Sequence, residues 1–375
     1  MITDLQGADA FLFERNDGLT EEQKKVAQTW TYFDEDLEGV DPAIAADVLQ
    51  HRTNFAHNDL PRYAFKREIP DDVVLYGDIP YLPDATRGHL LDVLLPRDAV
   101  VRGGAAVPVI FEVHGGAYFY GFKEINRSHA IELARHGYAV VSVSYPLYPA
   151  VDFLTQLRDL ASALEWVSKS SGRYLLDTNQ VFFTGDSAGV TLVLHLTAAM
   201  NNDEYASLLD VHPAKLGLRA LGLKSAMADL DRLFDENAYD AGGLVEKLAP
   251  CFTRYVERVK GTKFERLAQL VVNAGLPPVW MATSTDDFLE ATSLELGVEL
   301  RKLGIDHELL DYRAAPRECL PHNYIVGMPW LKETREAVES MLSFFAEHMA
   351  PRMSLTPAIG PSRPSGVNER RVRLP

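Results

Sequence analysis

The sequence predicts an α/β protein built on a parallel sheet with helices on both faces. Three observations carry that prediction. Short apolar runs recur between residues 73 and 312, stretches with helical spacing of apolar residues separate most of them, and one run ends in a sharp Gly-x-Ser-x-Gly corner before a helix that is apolar nearly all round. Short buried strands alternating with amphipathic helices close as a parallel sheet covered on both sides.

Taken in order, residues 20–58 read as two helices. Thr20-Glu21-Glu22-Gln23 has the form of a capping box, and Asp41-Pro42 sets a good N-cap before a proline suited to the first turn. Both precede any strand signal, so they form a layer separate from the sheet. Strand-like runs begin at Val73–Tyr76 and Leu90–Leu95, divided by Pro and Gly turn residues. After the exposed turn Arg102-Gly103-Gly104-Ala105 come a strand at Val107–Val113, a helix at Ser128–His136 and a strand at Ala139–Ser144. Leu154, Leu157, Ala161, Leu164 and Val167 then recur at helical spacing before a strand at Val181 and the apolar helix Thr191–Met200. A strand at Leu218–Leu223, a largely helical insertion near 229–274 and a strand at Pro278–Ser284 follow. A helix at Ala291–Leu303, a strand at His307–Tyr312 and a last helix at Lys332–His348 complete the pattern, which therefore has eight strands. Residues 350–375 are rich in Pro, Ser and Arg without apolar periodicity and read as a tail.

Length and composition set the outer bounds. A chain of 375 residues holds one large α/β domain with insertions or two smaller ones, with ample core. The formal net charge of -16 argues against a nucleic-acid partner, since phosphate backbones call for clustered Lys and Arg. More than half of that excess lies in residues 1–60, which carry 13 acidic and 4 basic side chains and read as a solvated acidic face. Only Cys251 and Cys319 occur, too few for a disulfide framework. No basic-then-apolar leader and no membrane-length apolar stretch is visible, so a cytoplasmic location is the expectation. His-Glu-x-x-His and phosphate-binding Gly-x-x-x-x-Gly-Lys-Ser/Thr patterns are both missing, so neither a metal nor another cofactor is expected.

The chemistry concentrates around Gly185-Asp186-Ser187-Ala188-Gly189. Its glycines leave room for a turn that side chains would obstruct, and they force the serine into an exposed, strained position. Ser187 is therefore the candidate nucleophile, with the N–H of Ala188 facing the same spot. Such a serine also needs a base, a group to orient the base, and donors for an oxyanion. His114-Gly115-Gly116-Ala117-Tyr118 follows a buried strand one strand-helix-strand unit upstream. Its glycines let N–H groups face a ligand, so Gly115 and Gly116 join Ala188 as candidate oxyanion donors. His114, at a strand end beside glycines, reads as a residue that shapes the loop. Among eleven histidines, His322 lies in the loop between the strand at His307 and the final helix, whereas His307 and His348 fall in a strand and at a helix end. His322 is the candidate base. Asp286 and Asp287 both end the strand Val279–Ser284, and either could orient it.

With these residues located, the chain resembles the α/β-hydrolase superfamily, and specifically the hormone-sensitive-lipase-like esterases, over about residues 70–348. The family's His-Gly-Gly-Gly-x-x-x-Gly loop is matched by His114-Gly115-Gly116-Ala117 through Gly121, and its Gly-Asp-Ser-Ala-Gly by residues 185–189. The family acid begins an Asp-Pro-Leu element before a helix ending Leu-x-x-x-Gly; counting back from Leu300 and Gly304 favours Asp287. Ala117 replaces the third loop glycine, Val190 the glycine that usually follows the Gly-x-Ser-x-Gly corner, or nucleophile elbow, and His322-Asn323-Tyr324 stands for His-Gly-Phe.

The resemblance implies an α/β-hydrolase fold with a mostly parallel eight-stranded sheet and a helical cap. In that division residues 1–68 form the N-terminal cap segment, 69–349 the core with a helical insertion at about 226–276, and 350–375 the tail. It implies a carboxylesterase-type serine hydrolase, acting through an acyl-enzyme on a small-molecule ester with a small or medium acyl chain. Amidase, arylformamidase-like or peptidase chemistry on the same triad is the alternative. A non-catalytic small-molecule receptor is another, disfavoured because His322 is present. Tyr118 and Phe119 are candidate substrate-lining residues, against the competing reading that clustered aromatics belong to the core. The oligomeric state is left open, a homo-oligomer included.

Overall fold

In the computed structural model the described residues are 21, 25, 29–31, 36–64, 68–84, 86–103, 105–228, 230, 244–315 and 319–351. The expected capping box at Thr20 and nearly all of the tail lie outside them.

Eight strands form one sheet: β1 (Val73–Pro80), β2 (Leu90–Pro96), β3 (Val107–Val113), β4 (Ala139–Val143), β5 (Leu176–Asp186), β6 (Leu218–Lys224), β7 (Val279–Ser284) and β8 (His307–Tyr312). Their spatial order is β1-β2-β4-β3-β5-β6-β7-β8. The β1–β2 and β2–β4 pairs are antiparallel and the remaining five are parallel. The helices are α1 (Pro42–Ala64), α2 (Arg127–Arg135), α3 (Phe153–Ser170), α4 (Ala188–Asn201), α5 (Leu244–Val259), α6 (Leu267–Ala274), α7 (Glu290–Lys302) and α8 (Lys332–Glu347), with short helical turns between some of them.

Strand alternation divides the core in two. Phe111 and Phe183 turn to one face, where Leu157 and Leu160 of α3 and Val193 and Leu196 of α4 pack. Ile110, Phe182 and Trp280 turn to the other, against Leu133 of α2 and Phe345 of α8. The α4 helix is buried from Ala188 to Met200, as its apolar circumference requires. Its one histidine, His195, bonds the Tyr205 hydroxyl at 2.5 Å, and burial pushes its pKa down to about 3, which leaves it a neutral core residue. At α1 the Asp41 carboxylate accepts from the N–H of Ala43 at 2.9 Å, so the expected cap forms, and Val48, Ala56 and Leu60 join the first core cluster.

Beyond β1 running on to Pro80 and short helices at Arg97–Val101 and Asp203–Leu209, two differences from the sequence reading bear on the site. Strand β5 starts at Leu176, five positions before Val181, because Leu176 and Asp177 pair with Val107 and Pro108 ahead of a register shift. Between the buried Leu176 and Gln180 that extension is polar and partly or fully exposed, so it has no apolar periodicity. A short helix at Tyr324–Gly327 also follows directly on His322-Asn323. No helix among the described residues is long and apolar enough to cross a membrane.

Register positions the functional loops. Val113 pairs with Gly185, and Asp186 pairs with Lys224, which in turn pairs with Ala282. The segments beginning at His114, Ser187, Ser225 and Thr285 therefore leave the same edge of the sheet side by side, where parallel α/β sheets form their sites. The opposite packing is open to a direct test. Phe182 lies fully buried and stacked on Phe345, with centroids 4.5 Å apart. Phe182→Ala should cost about 3–5 kcal/mol in denaturant unfolding, and a loss under about 1 kcal/mol would show that this face is not packed as described.

Candidate active site

Ser187 sits between β5 and α4 with φ 51° and ψ -122°, a conformation that costs a non-glycine residue about 1–3 kcal/mol. One tertiary and one local hydrogen bond hold it there. Its N–H donates to the carbonyl of Lys224 at 3.0 Å, and its own carbonyl accepts from the N–H of Val190 at 2.9 Å. Gly189 is required by close approach: a Cβ there would lie 2.3 Å from the carbonyl oxygen of Val113. The first turn of α4 thus presses against the point where β3 ends.

The imidazole of His322 bridges two of the predicted residues. Its Nε2 accepts from the Ser187 hydroxyl at 2.9 Å, and its Nδ1–H donates to Asp287 Oδ1 at 2.8 Å, which fixes the tautomer. Burial pushes the Asp287 carboxyl up, yet its pKa ends below the usual carboxylate value. The charge and hydrogen bond of His322, the Ser225 hydroxyl and the N–H of Leu289 together outweigh desolvation. Asp286 serves the backbone instead, since its Oδ2 accepts from the N–H of Leu320 at 2.9 Å and so holds the histidine loop. Of the two neighbouring aspartates, Asp287 is the one that meets the imidazole.

Gly115 lies against the serine, since a Cβ on it would stand 3.0 Å from Ser187 Cβ and 2.7 Å from Asp186. The N–H groups of Gly115 and Gly116 donate to no backbone carbonyl among the described residues. Ala188 opens α4, so its N–H has no intrahelical acceptor either. His114 contributes to the shape of the loop through one ring nitrogen, its Nε2 being buried without a hydrogen-bond partner among the described residues. Its Nδ1 bonds the Gly115 carbonyl at 2.7 Å, its ring stacks on Tyr145 at 4.3 Å, and burial lowers its pKa to about 4.

The two aromatic candidates are buried. Tyr118 donates its hydroxyl to Thr191 Oγ1 at 2.8 Å, and Phe119 packs on Phe55 of α1 with centroids 5.3 Å apart. Phe288 was not singled out by the sequence, yet it is the exposed aromatic at the site, 4.4 Å from the His322 ring. Other supporting residues also went unselected. The buried Asp186 carboxylate accepts from Asn126 at 2.7 Å and from Asn323 at 3.0 Å, tying the start of α2 and the histidine loop to the elbow. Asn323 stands where the family pattern has glycine and keeps the left-handed φ of 61°, while its N–H donates to Ser225 Oγ at 3.0 Å. Its only sequence signal was that departure. No cluster of three or more metal-ligating side chains occurs among the described residues.

A family model described as alpha/beta hydrolase fold matches residues 110–326, more than half of the chain. The chain belongs to the α/β-hydrolase family. Within that family its fold is similar to esterase B of Lactobacillus rhamnosis, with a TM-score of 0.72 and 25% identity over 81% of this chain and 95% of that one. In sequence it is 30% identical over 127 residues to a probable isoprenylcysteine alpha-carbonyl methylesterase of Oryza sativa, covering 34% of this chain and 28% of that protein. It is 25% identical over 214 residues to kynurenine formamidase of Danio rerio, covering 56% and 62%. The chain spans only about a quarter to a third of the length of the first curated relatives it matches.

The Asp186–Asn323 contact predicts a pH effect on stability. Asn323→Asp would oppose two buried carboxylates, one of which must stay protonated. Its folded-state pKa then lies above the unfolded value, so Tm should fall increasingly below wild type between about pH 5 and about pH 8. An offset independent of pH would show that the two side chains do not meet.

Proposed function

We propose that this protein is a serine hydrolase that cleaves carboxylic esters of small or medium acyl chain through an acyl-enzyme. The observation that carries the reading is the continuous hydrogen-bonded line from Ser187 through His322 to Asp287. In this reading Ser187 Oγ attacks the ester carbonyl while His322 Nε2 takes its proton. Asp287, ionised to well below neutral pH, keeps the second imidazole proton on Nδ1 and stabilises the imidazolium that forms. The N–H groups of Gly115, Gly116 and Ala188 receive the tetrahedral oxyanion, each such donor being worth about 2.7–4 kcal/mol. His322 then returns its proton to the departing alcohol, and the same base activates water to release the acid. Phe288 lies beside the imidazole that must reach the leaving oxygen, so an apolar alcohol would meet its ring there. We read residues 1–68, with the insertion at about 226–276, as the cap over this edge of the 69–349 core, and 350–375 as a tail.

Formamide hydrolysis on the same triad is the second reading. The similarity to a kynurenine formamidase extends over 214 residues, and an amide carbonyl needs the same nucleophile and donors. A receptor role is disfavoured by the intact Ser187–His322 bond, which small-molecule binding does not require.

Turnover of p-nitrophenyl acetate and butyrate tests the first reading, and competition against N-formylkynurenine separates it from the second. Ser187→Ala should abolish ester turnover, and Asp287→Asn should lower kcat by about 10⁴ through loss of the required tautomer. Ester hydrolysis that survives Ser187→Ala would refute the assignment. Preference for the formamide by kcat/KM would replace the ester with an amide.

A further inference from the structure

The α1 helix sends one charged side chain into the loop that carries Gly115 and Gly116. Arg52 is 1% exposed, and each of its five N–H donors has an acceptor. The Nε–H donates to the Phe119 carbonyl at 2.6 Å. One Nη1–H goes to the Thr31 carbonyl at 3.2 Å and the other to Asp36 Oδ1 at 2.8 Å. Nη2 donates to Asp36 Oδ2 and to the Tyr148 carbonyl, the latter at 3.2 Å. The charge is thereby paired, and the fork is committed to backbone on both sides of the oxyanion loop.

That loop needs holding. Ala117 and Tyr118 follow one another at φ 50° and 67°, a left-handed pair without a glycine, and Ala117 occupies the place of the family's third glycine. Bonds beyond the pair fix it. The N–H groups of Phe119 and Tyr120 both donate to the Gly116 carbonyl, at 3.2 and 3.0 Å. The Tyr118 carbonyl accepts from Gln156 at 2.8 Å and from the N–H of Tyr148 at 3.0 Å. Arg52 fastens two further carbonyls of this arrangement, those of Phe119 and Tyr148, to α1.

We propose that Arg52 is a positioning residue for the oxyanion hole: it compensates for the missing loop glycine and makes the N-terminal helical segment part of the catalytic apparatus. This rests on the reading of Gly115 and Gly116 as oxyanion donors. A tie that only anchored the N-terminal segment would affect stability or substrate entry. A positioning tie acts on the transition state, in which a displacement of about 1 Å costs up to about 10²-fold in rate.

The test compares Arg52→Gln, Arg52→Lys and each of these with Ala117→Gly in the full chain. The readouts are kcat and KM for p-nitrophenyl butyrate and inhibition by a trifluoromethyl ketone, whose hemiketal oxygen needs the same donors. Arg52→Gln should lower kcat about 10–100-fold with KM within about threefold, and should weaken the ketone by the same factor as kcat/KM. Adding Ala117→Gly should recover most of the loss, because glycine adopts the loop conformation without external support. Arg52→Lys keeps the pairing with Asp36 but lacks the fork, so it decides the matter if Arg52→Gln does not melt cooperatively. A folded variant with unchanged kcat, a rise in KM alone, or no recovery on adding Ala117→Gly would overturn the proposal. An inactive wild type, also unlabelled by a fluorophosphonate, would remove the hydrolase reading with it. An active wild type with an indifferent Arg52 variant removes only this inference.

Discussion

The parallel register of β3 against β5 is the constraint on which the site depends. Because Val113 lies level with Gly185, the glycine loop and the serine corner leave the sheet at the same height, close enough that neither Gly115 nor Gly189 could carry a side chain. Each further strand adds one component at that edge. The end of β6 supplies the Lys224 carbonyl that holds the Ser187 N–H, and Ser225, which links Asn323 to Asp287. The end of β7 supplies both aspartates, and the segment after β8 supplies the histidine. Pre-set geometry of this kind is what a site needs to stabilise charge without reorganising as the reaction proceeds.

Beneath this edge the sheet buries a cluster of ionisable side chains. Glu112 and Lys224 lie 3.9 Å apart, and Lys224 Nζ is 3.1 Å from His129 Nε2, all nearly inaccessible to water. Desolvation raises the Glu112 pKa to about 7 and lowers that of Lys224. Groups so placed add little net stability, but loss of one partner strands the other. Asp186 differs in being held by two neutral amides, and those amides come from the segments that must stay in register with the serine. Strain is concentrated in the same place: Ser187, Ala117, Tyr118, Ser225 and Asn323 all have positive φ without being glycine.

Much of this was legible in the sequence, because strand burial and the two glycine motifs are local signals. All eight strands were announced by apolar runs, and the order of elbow, acid and histidine selected Ser187 and His322 among many serines and eleven histidines. The polar start of β5 was not, since its pairing with Val107 and Pro108 leaves no periodicity to read. Nor were Arg52 and Asn323. Their partners Phe119 and Asp186 are 67 and 137 residues away, and a lone arginine in an otherwise acidic stretch looks like any solvated charge until the fold buries it. Residues that hold a site from outside its motifs are selected by three-dimensional contact, which is why the departure from glycine at Asn323 was visible while its purpose was not.

We propose that Ser187 is the activated nucleophile of this edge. Treating the full chain with a fluorophosphonate and mapping the product by peptide mass spectrometry tests it most directly. One adduct per chain is expected, on the peptide containing Ser187, with labelling suppressed when His322 is replaced by Gln. An adduct on a different serine, or labelling at Ser187 that proceeds equally well without the imidazole, would contradict it.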